Sequence, residues 1–368
     1  MESAFPAWIA RRFLLARSRA IGLAGSDIET PLLIPGISSK AVAPIPRREL
    51  GGKREVVPAS VVHTDMLIRG IEEALLVSAY DIQHGLVTAH QRFRRQFKTS
   101  PYSQLKVLVI DSGWYEKNVG PSSGQWYHEV GPDPQPFDEA DYVHLVDSLD
   151  SGISAVLVSW DKRGKYLDQI SAAQEFFGAR RRFTSCILLK PQGARLEHDF
   201  KELSEADAAR LQAFGVIGVT EKELGDSILR RITTLAQLRG RLDEVGVDSP
   251  IHVFGGLDPL LTPLYFAAGA ELFDGLAWLR YAFMDGMSVS RDTMPIFERN
   301  YEKRLPVAIQ HIQIHNLDVL SQLSSDLKVF FKSNGNWTKL PRGQFLKPVW
   351  EAAESRLGGA NGRRRRRG

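Results

Sequence analysis

Residues Ile251–Gly275, IHVFGGLDPLLTPLYFAAGAELFDG, give the strongest indication of the fold in this sequence. It predicts a strand at Ile251–Phe254, a Gly-Gly turn, a short apolar helix and a second strand at Glu271–Phe273. Both strands are apolar without alternation, which is typical of strands buried on both faces of a parallel sheet. Asp274 follows the second strand directly, and a carboxylate at the end of a core strand indicates chemistry. The alternative is that Asp274 only caps the next helix.

Short apolar runs of this kind recur along the chain, and the stretches between them have helical spacing, as in Asp138–Ser148, Ser204–Ala213 and Asp226–Glu244. Eight buried strands that alternate with helices predict an α/β fold, a (β/α)8 TIM barrel with a C-terminal helical appendage. A doubly wound open sheet is the alternative. The eight runs are Leu32–Ile34, Ala74–Val77, Val107–Ile110, Ala155–Val158, Cys186–Leu189, Phe214–Ile217, Ile251–Phe254 and Glu271–Phe273.

The same patterns divide the chain into four parts. Residues 1–29 are predicted to be a helical lead-in, because Trp8–Ile21 has the spacing of an amphipathic helix. Residues 30–287 form the predicted barrel, and residues 288–357 a helical subdomain. Residues 358–368, which are rich in arginine, are predicted to be a disordered basic tail.

Composition limits the class of protein. The chain has 368 residues, 43% of them hydrophobic, and no apolar stretch long enough to span a membrane. No secretory signal is evident, so we expect a cytoplasmic protein without a membrane partner. The single cysteine, Cys186, excludes disulfides and multi-cysteine metal sites. The net charge is +4, and basic clusters such as Arg180–Arg182 fit a phosphate backbone, although such clusters are also ordinary solvated surface.

Polar residues and glycines follow the apolar runs at the points where the predicted strands end. They include Asp111-Ser-Gly, Asp161, Lys190-Pro-Gln-Gly193 and Asp274. The carboxyl ends of barrel strands converge on one face and one pocket, so we expect these side chains to lie close together there. The loop Asn118–Phe137, rich in Gly, Pro and Ser, is predicted to be a lid or binding loop.

The order of these elements resembles the tRNA-guanine transglycosylase superfamily, from about Thr30 to Leu323. The resemblance depends on the order and spacing of several short motifs, none of which is specific by itself. It implies an exchange of guanine in a polynucleotide for a 7-deazaguanine base, without cleavage of the backbone. The motifs are Thr30-Pro-Leu-Leu-Ile-Pro35, Asp111-Ser-Gly, Asp161, Gln192-Gly193, Ile217-Gly-Val219, Asp274 and His315-Asn316.

The resemblance also implies roles for individual residues. Asp274 would be the nucleophile that attacks C1′ of the ribose, and Asp111 the acid and base that serves the two bases, in the two-step manner of a retaining glycosidase. Asp161 would accept the N1 and N2 donors of guanine. The implied base-binding residues are Ser112, Asp161, Gln192, Gly193, Gly218 and Val219, and the implied nucleic-acid contacts are Arg180, Arg181, Arg182 and Arg280.

Two departures from the family pattern matter. The family's zinc site uses three cysteines and a histidine, but residues 294–310 contain no cysteine, so His315 has no thiolate partner and zinc is expected to be absent. No other cofactor is expected. The family's DSGGFQ appears here as Asp111-Ser-Gly-Trp-Tyr-Glu116, with Trp114 and Tyr115 placed to stack on a base.

These departures favour a divergent paralogue, such as the branch that inserts 7-deazaguanines into DNA, with DNA slightly ahead of tRNA as substrate. Helicase- or nuclease-type proteins are then candidate partners, and the sequence does not specify an oligomeric state. One alternative is a catalytically silent nucleic-acid-binding subunit, although such a subunit would not need both Asp111 and Asp274. Another is an unrelated barrel glycosidase that uses only the two carboxylates.

Overall fold

The computed structural model of the chain describes residues 14–41, 45–48, 54–57, 73–86, 105–118, 134–297, 299, 302 and 305–365. Its strands are β1 (Ala20–Leu23), β2 (Ser26–Glu29), β3 (Leu32–Ile37), β4 (Ile45–Arg48), β5 (Arg54–Val57), β6 (Ala74–Ser78), β7 (Val107–Asp111), β8 (Val156–Val158), β9 (Thr184–Leu189), β10 (Val216–Thr220), β11 (Ile251–Phe254), β12 (Leu272–Gly275), β13 (Tyr281–Met284) and β14 (Met287–Ser290).

Eight of these strands close into a parallel barrel in the order β10-β11-β12-β3-β6-β7-β8-β9. The last barrel strand, β12, pairs with the first, β3, so that Leu272 lies beside Leu32. Each of the eight apolar runs supplies one of these strands, and the predicted (β/α)8 barrel is therefore confirmed. The open-sheet alternative is wrong, because an open sheet has no pairing between its first and last strands.

Helices lie in the connections that follow β6 and each later barrel strand, whereas the described part of the β3–β6 connection contains the β4–β5 pair. The helices are α1 (Ala79–Gln83), α2 (Trp114–Asn118), α3 (Glu139–Ser148), α4 (Tyr166–Gly178), α5 (Glu205–Arg210), α6 (Ile228–Glu244), α7 (Thr262–Ala267), α8 (Ala277–Arg280), α9 (Met294–Phe297), α10 (Leu305–Lys332) and α11 (Gly343–Arg365). Single 3-10 turns lie at Phe200–Glu202, Leu211–Ala213, Glu221–Leu224, Arg291–Thr293 and Trp337–Lys339.

Alternate residues of each barrel strand face opposite sides, which explains why the strands are apolar throughout. In β7, Val107 and Val109 pack inside the barrel with Leu272. Leu108 and Ile110 point outward into the layer between the barrel and its helices. Alternation therefore assigns each residue at a strand end either to the lumen or to the outer layer.

The N-terminal end of the barrel is closed by the β1–β2 hairpin. Leu23, Ala24 and Ile28 pack inside the barrel, and the Ala24 N–H donates a hydrogen bond to Thr184 Oγ1 at 2.9 Å. The predicted helical lead-in is wrong over the described residues 14–29, because residues 14–19 have no regular secondary structure and residues 20–29 form this hairpin. The remainder of the predicted helix, up to residue 13, lies outside the described residues.

The C-terminal part is helical, as predicted, and two of its residues attach it to the barrel. Asn316 on α10 is fully buried; its Oδ1 accepts the Phe283 N–H at 2.8 Å, and its Nδ2 donates to the Trp278 carbonyl at 2.7 Å. His315 Nε2 lies 2.8 Å from the carbonyl oxygen of Phe283. This His-Asn pair therefore fastens α10 to β13.

Two further expectations concern segments beyond the barrel strands. Helix α11 continues to Arg365, so most of the predicted disordered tail, residues 358–368, is helical instead. Most of the predicted lid, Asn118–Phe137, lies outside the described residues. Among the helices that the structure describes, none combines the length and apolarity that crossing a lipid bilayer would require.

Candidate active site

Asp111 and Asp274 occupy the carboxyl ends of two barrel strands that are separated in the barrel by β3 and β6. Asp111 ends β7 after the lumen-facing Val109, and Asp274 lies in β12 two residues after the lumen-facing Leu272. Both carboxylates therefore face the lumen at the same rim. The prediction that they share one face of the barrel follows directly from this parallel arrangement.

The two carboxylate oxygens of Asp274 differ in their contacts with the protein. Its Oδ1 accepts the Gly255 N–H at 3.3 Å and lies 3.0 Å from His252 Nε2, and only 7% of the residue is exposed. No hydrogen bond from the described residues reaches Oδ2, so this oxygen is left for a reacting atom. The N-cap of the helix that follows, α8, is Leu276 and no side chain caps it, so Asp274 is not a helix cap.

His252 is the residue behind this carboxylate, and the sequence analysis assigned it no role. It is fully buried in β11, and its ring stacks on Phe254 with centroids 3.9 Å apart. Its approach to Asp274 has the distance of an ion pair but not the direction of a hydrogen bond, and neither ring nitrogen has a hydrogen-bond partner among the described residues. The His252 ring therefore restricts the rotation of the Asp274 side chain.

Asp111 has the properties of a carboxylic acid that keeps its proton. Burial raises the pKa of Asp111 well above its ordinary value, and the negative charges of Asp161 and Glu116 raise it further. A hydrogen bond of 3.3 Å from the Gly113 N–H acts in the opposite direction, and the charge of Asp274 adds a smaller rise. The two strand-end aspartates thus lie in different environments, as an acid and a nucleophile require.

Gly113 allows the turn that follows Asp111. Its φ is +87°, and a Cβ at this position would lie 2.5 Å from the Cβ of Tyr80. A side chain here would therefore push α2 away from α1 and move Ser112 out of the site. This close approach is the physical reason for glycine in the Asp111-Ser-Gly motif.

Asp161 lies in a network of charges with Lys190 at its centre. The Ser112 hydroxyl donates to Asp161 Oδ2 at 2.8 Å, and Lys190 Nζ lies 2.7 Å from Asp161 Oδ1. The same ammonium is 3.1 Å from Glu223 Oε2 and donates to Thr220 Oγ1 at 3.3 Å. Burial lowers the pKa of Lys190, but these two carboxylates outweigh it, and the net pKa is raised. Lys190 therefore stays charged.

A second buried cluster lies beside Asp111, at the ends of β3 and β6. Asp81 accepts the Ser39 N–H at 2.8 Å and the Ser39 hydroxyl at 2.6 Å, and the Ser38 hydroxyl donates to Glu116 Oε1 at 2.7 Å. Burial raises the pKa of Asp81 to about 6. Burial and the charge of Asp81 raise the pKa of Glu116 to about 7. Neither carboxyl was predicted from the sequence.

Other predicted base-binding residues are occupied in different ways. Gln192 accepts the Tyr166 N–H at 3.3 Å and donates to Glu202 Oε2 at 2.9 Å, so both ends of its amide have protein partners. Gly193 is exposed after the strand. Gly218 lies within the β10 ladder, where a Cβ would meet the Phe254 ring at 2.6 Å. Val219 points away from the lumen into the outer layer.

The arginines divide between the two ends of the barrel. Arg180 to Arg182 precede β9 and therefore lie at the amino-terminal rim, opposite the aspartates. There Arg180 binds Asp147 at 2.8 Å, and Arg182 donates to the carbonyl oxygen of Leu149 at 2.9 Å. Arg280 lies at the aspartate rim and donates to Tyr115 Oη at 2.8 Å. Of the four predicted nucleic-acid contacts, only Arg280 is on the face that carries the aspartates.

Among the described residues, no group of three or more His, Cys, Asp or Glu side chains is arranged to hold a metal ion, and the absence of zinc stays a prediction. A cavity of about 610 Å³ lies between α10 and the β13–β14 turn, lined in part by Asp285, Asp326 and Arg342. None of the aspartates at the barrel mouth lines it.

The chain matches no protein-family model, and no curated protein matches it. Any statement about its chemistry therefore rests on the residues at the barrel mouth, namely Asp111, Ser112, Asp161, Lys190, Glu223, His252 and Asp274.

Proposed function

We propose that this protein is a guanine transglycosylase, which exchanges guanine in a polynucleotide for a 7-deazaguanine base through a covalent bond to Asp274. One observation carries the proposal. Asp111 and Asp274 face the same barrel mouth in different environments, with the pKa of Asp111 raised by burial and Oδ2 of Asp274 free of hydrogen bonds from the described residues. The pair provides a protonated acid and an available nucleophile.

The first step breaks the bond to the old base. Asp274 Oδ2 attacks C1′ of the target nucleotide, a C1′–O bond forms, and the C1′–N9 bond breaks with its electron pair going to guanine. Asp111 donates its proton to the departing base, which leaves neutral. Such a reaction needs a proton donor, and burial favours the protonated form of Asp111 by raising its pKa well above the ordinary value.

The second step forms the bond to the new base. Asp111, now a carboxylate, takes the N9 proton of the incoming base, and N9 attacks C1′ from the side that guanine left. The C1′–O bond to Asp274 breaks, and its electron pair returns to the carboxylate. Two displacements at C1′ retain the configuration of the sugar, so the polynucleotide is changed only in its base.

Asp161 supports guanine as the departing base. A carboxylate accepts the N1 and N2 donors of guanine together, and the Ser112 hydroxyl and Lys190 hold this carboxylate in place at 2.8 and 2.7 Å. The base must leave its stack to enter such a site. We favour DNA slightly over tRNA as the polynucleotide, because the residues after Gly113 and the cysteine-free C-terminal part depart from the tRNA-modifying pattern.

Uptake of labelled guanine tests the proposal. The full-length protein is incubated with labelled guanine and either tRNA or duplex DNA, with and without candidate helicase or nuclease partners. Asp274→Asn should abolish uptake, and Asp111→Asn should reduce it by about 10²–10⁴-fold through lost proton transfer. Both variants should still bind the polymer. Asp285→Asn, a change of the same kind at an exposed position, is the matched control and should keep full activity.

Two results would count against this function. Full activity of Asp274→Asn would mean that the carboxylate takes no covalent part. Absence of uptake into either polymer, with every partner tested, would favour a silent nucleic-acid-binding subunit.

A further inference from the structure

Lys190 is fixed at the barrel mouth by its own backbone. Its N–H donates to Gln169 Oε1 at 2.8 Å, and its carbonyl oxygen accepts from Gln169 Nε2 at 2.9 Å. It follows the lumen-facing Leu188 by two residues, so its side chain enters the mouth, and only 8% of that side chain is exposed. The ammonium therefore occupies a defined position beside Asp161.

The surroundings of this ammonium include acceptors that could be shared with a ligand. Nζ lies within ion-pair distance of Asp161 Oδ1 and Glu223 Oε2, at 2.7 and 3.1 Å, and 5.7 Å from the centre of the Trp114 ring. Glu223 Oε2 is buried and has no hydrogen-bond partner among the described residues. The three donors of the ammonium face three acceptors, and the longest of these contacts is the one to Thr220 Oγ1, at 3.3 Å. A ligand oxygen can therefore replace Thr220 as the acceptor, and the second lone pair of each Asp161 oxygen can accept a donor of the same ligand.

Three of the predicted base-binding residues, Gln192, Gly218 and Val219, are committed elsewhere. The Gln192 amide binds the Tyr166 N–H and Glu202. Gly218 and Val219 lie inside the β10 ladder, between β9 and β11. An oxygen at C6 would then need another donor close to Asp161. In guanine, O6 is adjacent to N1, so a base that gives its N1–H to Asp161 Oδ1 brings O6 next to the ammonium that touches the same oxygen.

We propose that Lys190 is the specificity-determining residue that reads the 6-oxo group of the bound base. The inference rests on the proposed function, because it takes Asp161 as the acceptor of N1–H and N2–H. Lys190 donates a charge-assisted hydrogen bond to O6 in place of its bond to Thr220, and Asp161 and Glu223 keep the ammonium oriented when the base arrives. The site therefore selects 6-oxo-purines and 6-oxo-7-deazapurines, and it discriminates at C6 by charge.

Binding of free bases to the full-length protein, measured by calorimetry, tests this assignment. Guanine is compared with 6-thioguanine, which keeps N1–H and N2–H but has a weaker acceptor at C6, and with hypoxanthine, which lacks only the N2 donors. The protein should bind guanine at least about 10-fold more tightly than 6-thioguanine, since hydrogen bonds to charged groups contribute about 1.5–3 kcal/mol. The variant is Lys190→Met combined with Glu223→Gln, which removes one positive and one negative charge and leaves Asp161 with its hydrogen bond from Ser112 but without an ion pair.

In the double variant, the preference for guanine over 6-thioguanine should fall toward one. The preference for guanine over hypoxanthine, which depends on Asp161, should persist and show that the site is still folded. Lys190→Arg, which keeps the charge, should retain part of the C6 preference. The size of the sulfur atom affects the variant and the original protein alike, so the change in the ratio isolates the contribution of Lys190.

Three results decide the question. An unchanged C6 preference in the double variant would overturn the assignment, as would the absence of base binding by the unaltered protein. The expected binding pattern without uptake of labelled guanine into tRNA or DNA would support Lys190 as the reader of C6 and refute the transglycosylase activity.

Discussion

At the scale of single residues, the barrel mouth holds carboxyl groups whose pKa values are raised. Asp81, Asp111 and Glu116 all have pKa values raised by burial. Lys190, in contrast, is kept charged by Asp161 and Glu223. The mouth therefore holds carboxyl groups with raised pKa values on the β6–β7 side and an ion-paired network on the β8–β9 side.

The carboxyl of Glu116 makes folding sensitive to pH. Its pKa in the folded protein is raised to about 7, whereas an unfolded glutamate titrates near 4.3. Between about pH 4 and pH 7 the folded state holds a proton that the unfolded state releases, so the free energy of unfolding falls as the pH rises. Glu116→Gln should flatten this dependence, as measured by chemical denaturation at pH 4.5 and pH 7.5.

The exposed Glu175→Gln is the control for Glu116→Gln and should leave the pH dependence unchanged. A slope that Glu116→Gln does not alter would assign the stored proton to another group.

The sequence located the aspartates of the site but not their partners. Asp111, Asp161 and Asp274 were predicted because each follows an apolar run, and position along a strand is a local property. Lys190 follows a strand in the same way, but its role depends on Glu223, which comes from a different connection of the barrel. Gln192 was assigned to the base because the contacts that occupy its amide, with Tyr166 and Glu202, are tertiary.

At the scale of secondary-structure elements, α10 is held to the barrel by polar contacts as well as by its apolar face. Asn316 satisfies one backbone N–H and two carbonyl oxygens around β13, and His315 reaches a third carbonyl oxygen. In the sequence, the His-Asn motif resembled a family element, but the cysteines of that family's zinc site were missing. In the structure, the two side chains hold α10 to β13 through hydrogen-bond contacts of their own.

Asn316→Ala should loosen this attachment. It leaves the Phe283 N–H and the carbonyl oxygens of Trp278 and Tyr281 without their side-chain partner in a buried position. We expect a loss of about 2–4 kcal/mol in the free energy of unfolding, since an unsatisfied buried group costs about 1–3 kcal/mol. Denaturant titration measures the loss. Gln322→Ala, at an exposed site on the same helix, should cost far less, and equal losses would refute the role given to Asn316.

The positions of the barrel strands could be predicted because these strands are buried on both faces. The barrel strands are apolar on both faces, a pattern that few other elements share. The β1–β2 hairpin was missed because its apolar residues, Leu23, Ala24 and Ile28, are too few to show a strand period, and because the arginines before it suggested a helix. Arg17 and Arg19 instead bind Asp248 at the amino-terminal rim.

At the scale of the whole molecule, the barrel has two unlike ends. The hairpin fills the amino-terminal end with Leu23 and Ile28, and the aspartates lie at the carboxyl-terminal end. Within the described part of the chain, a substrate that reaches Asp274 through the lumen must therefore come from the carboxyl-terminal side. The sequence predicted that the aspartates share the carboxyl-terminal rim, because in a barrel that placement follows from strand direction alone.

The pairing of β12 with β3 has a consequence for synthesis on the ribosome. Strand β3 is made early but has no partner on one edge until Leu272 emerges, and the Arg19–Glu271 ion pair joins residues 252 positions apart. A nascent chain thus carries an unpaired apolar edge for most of its translation, a state in which chaperones bind and chains aggregate. Chains truncated before Leu272 should be degraded rapidly in limited proteolysis, whereas chains that include Gly275 and the helices after it should resist. A protease-resistant core in the shorter chains would mean that the other barrel strands fold before β12 pairs with β3.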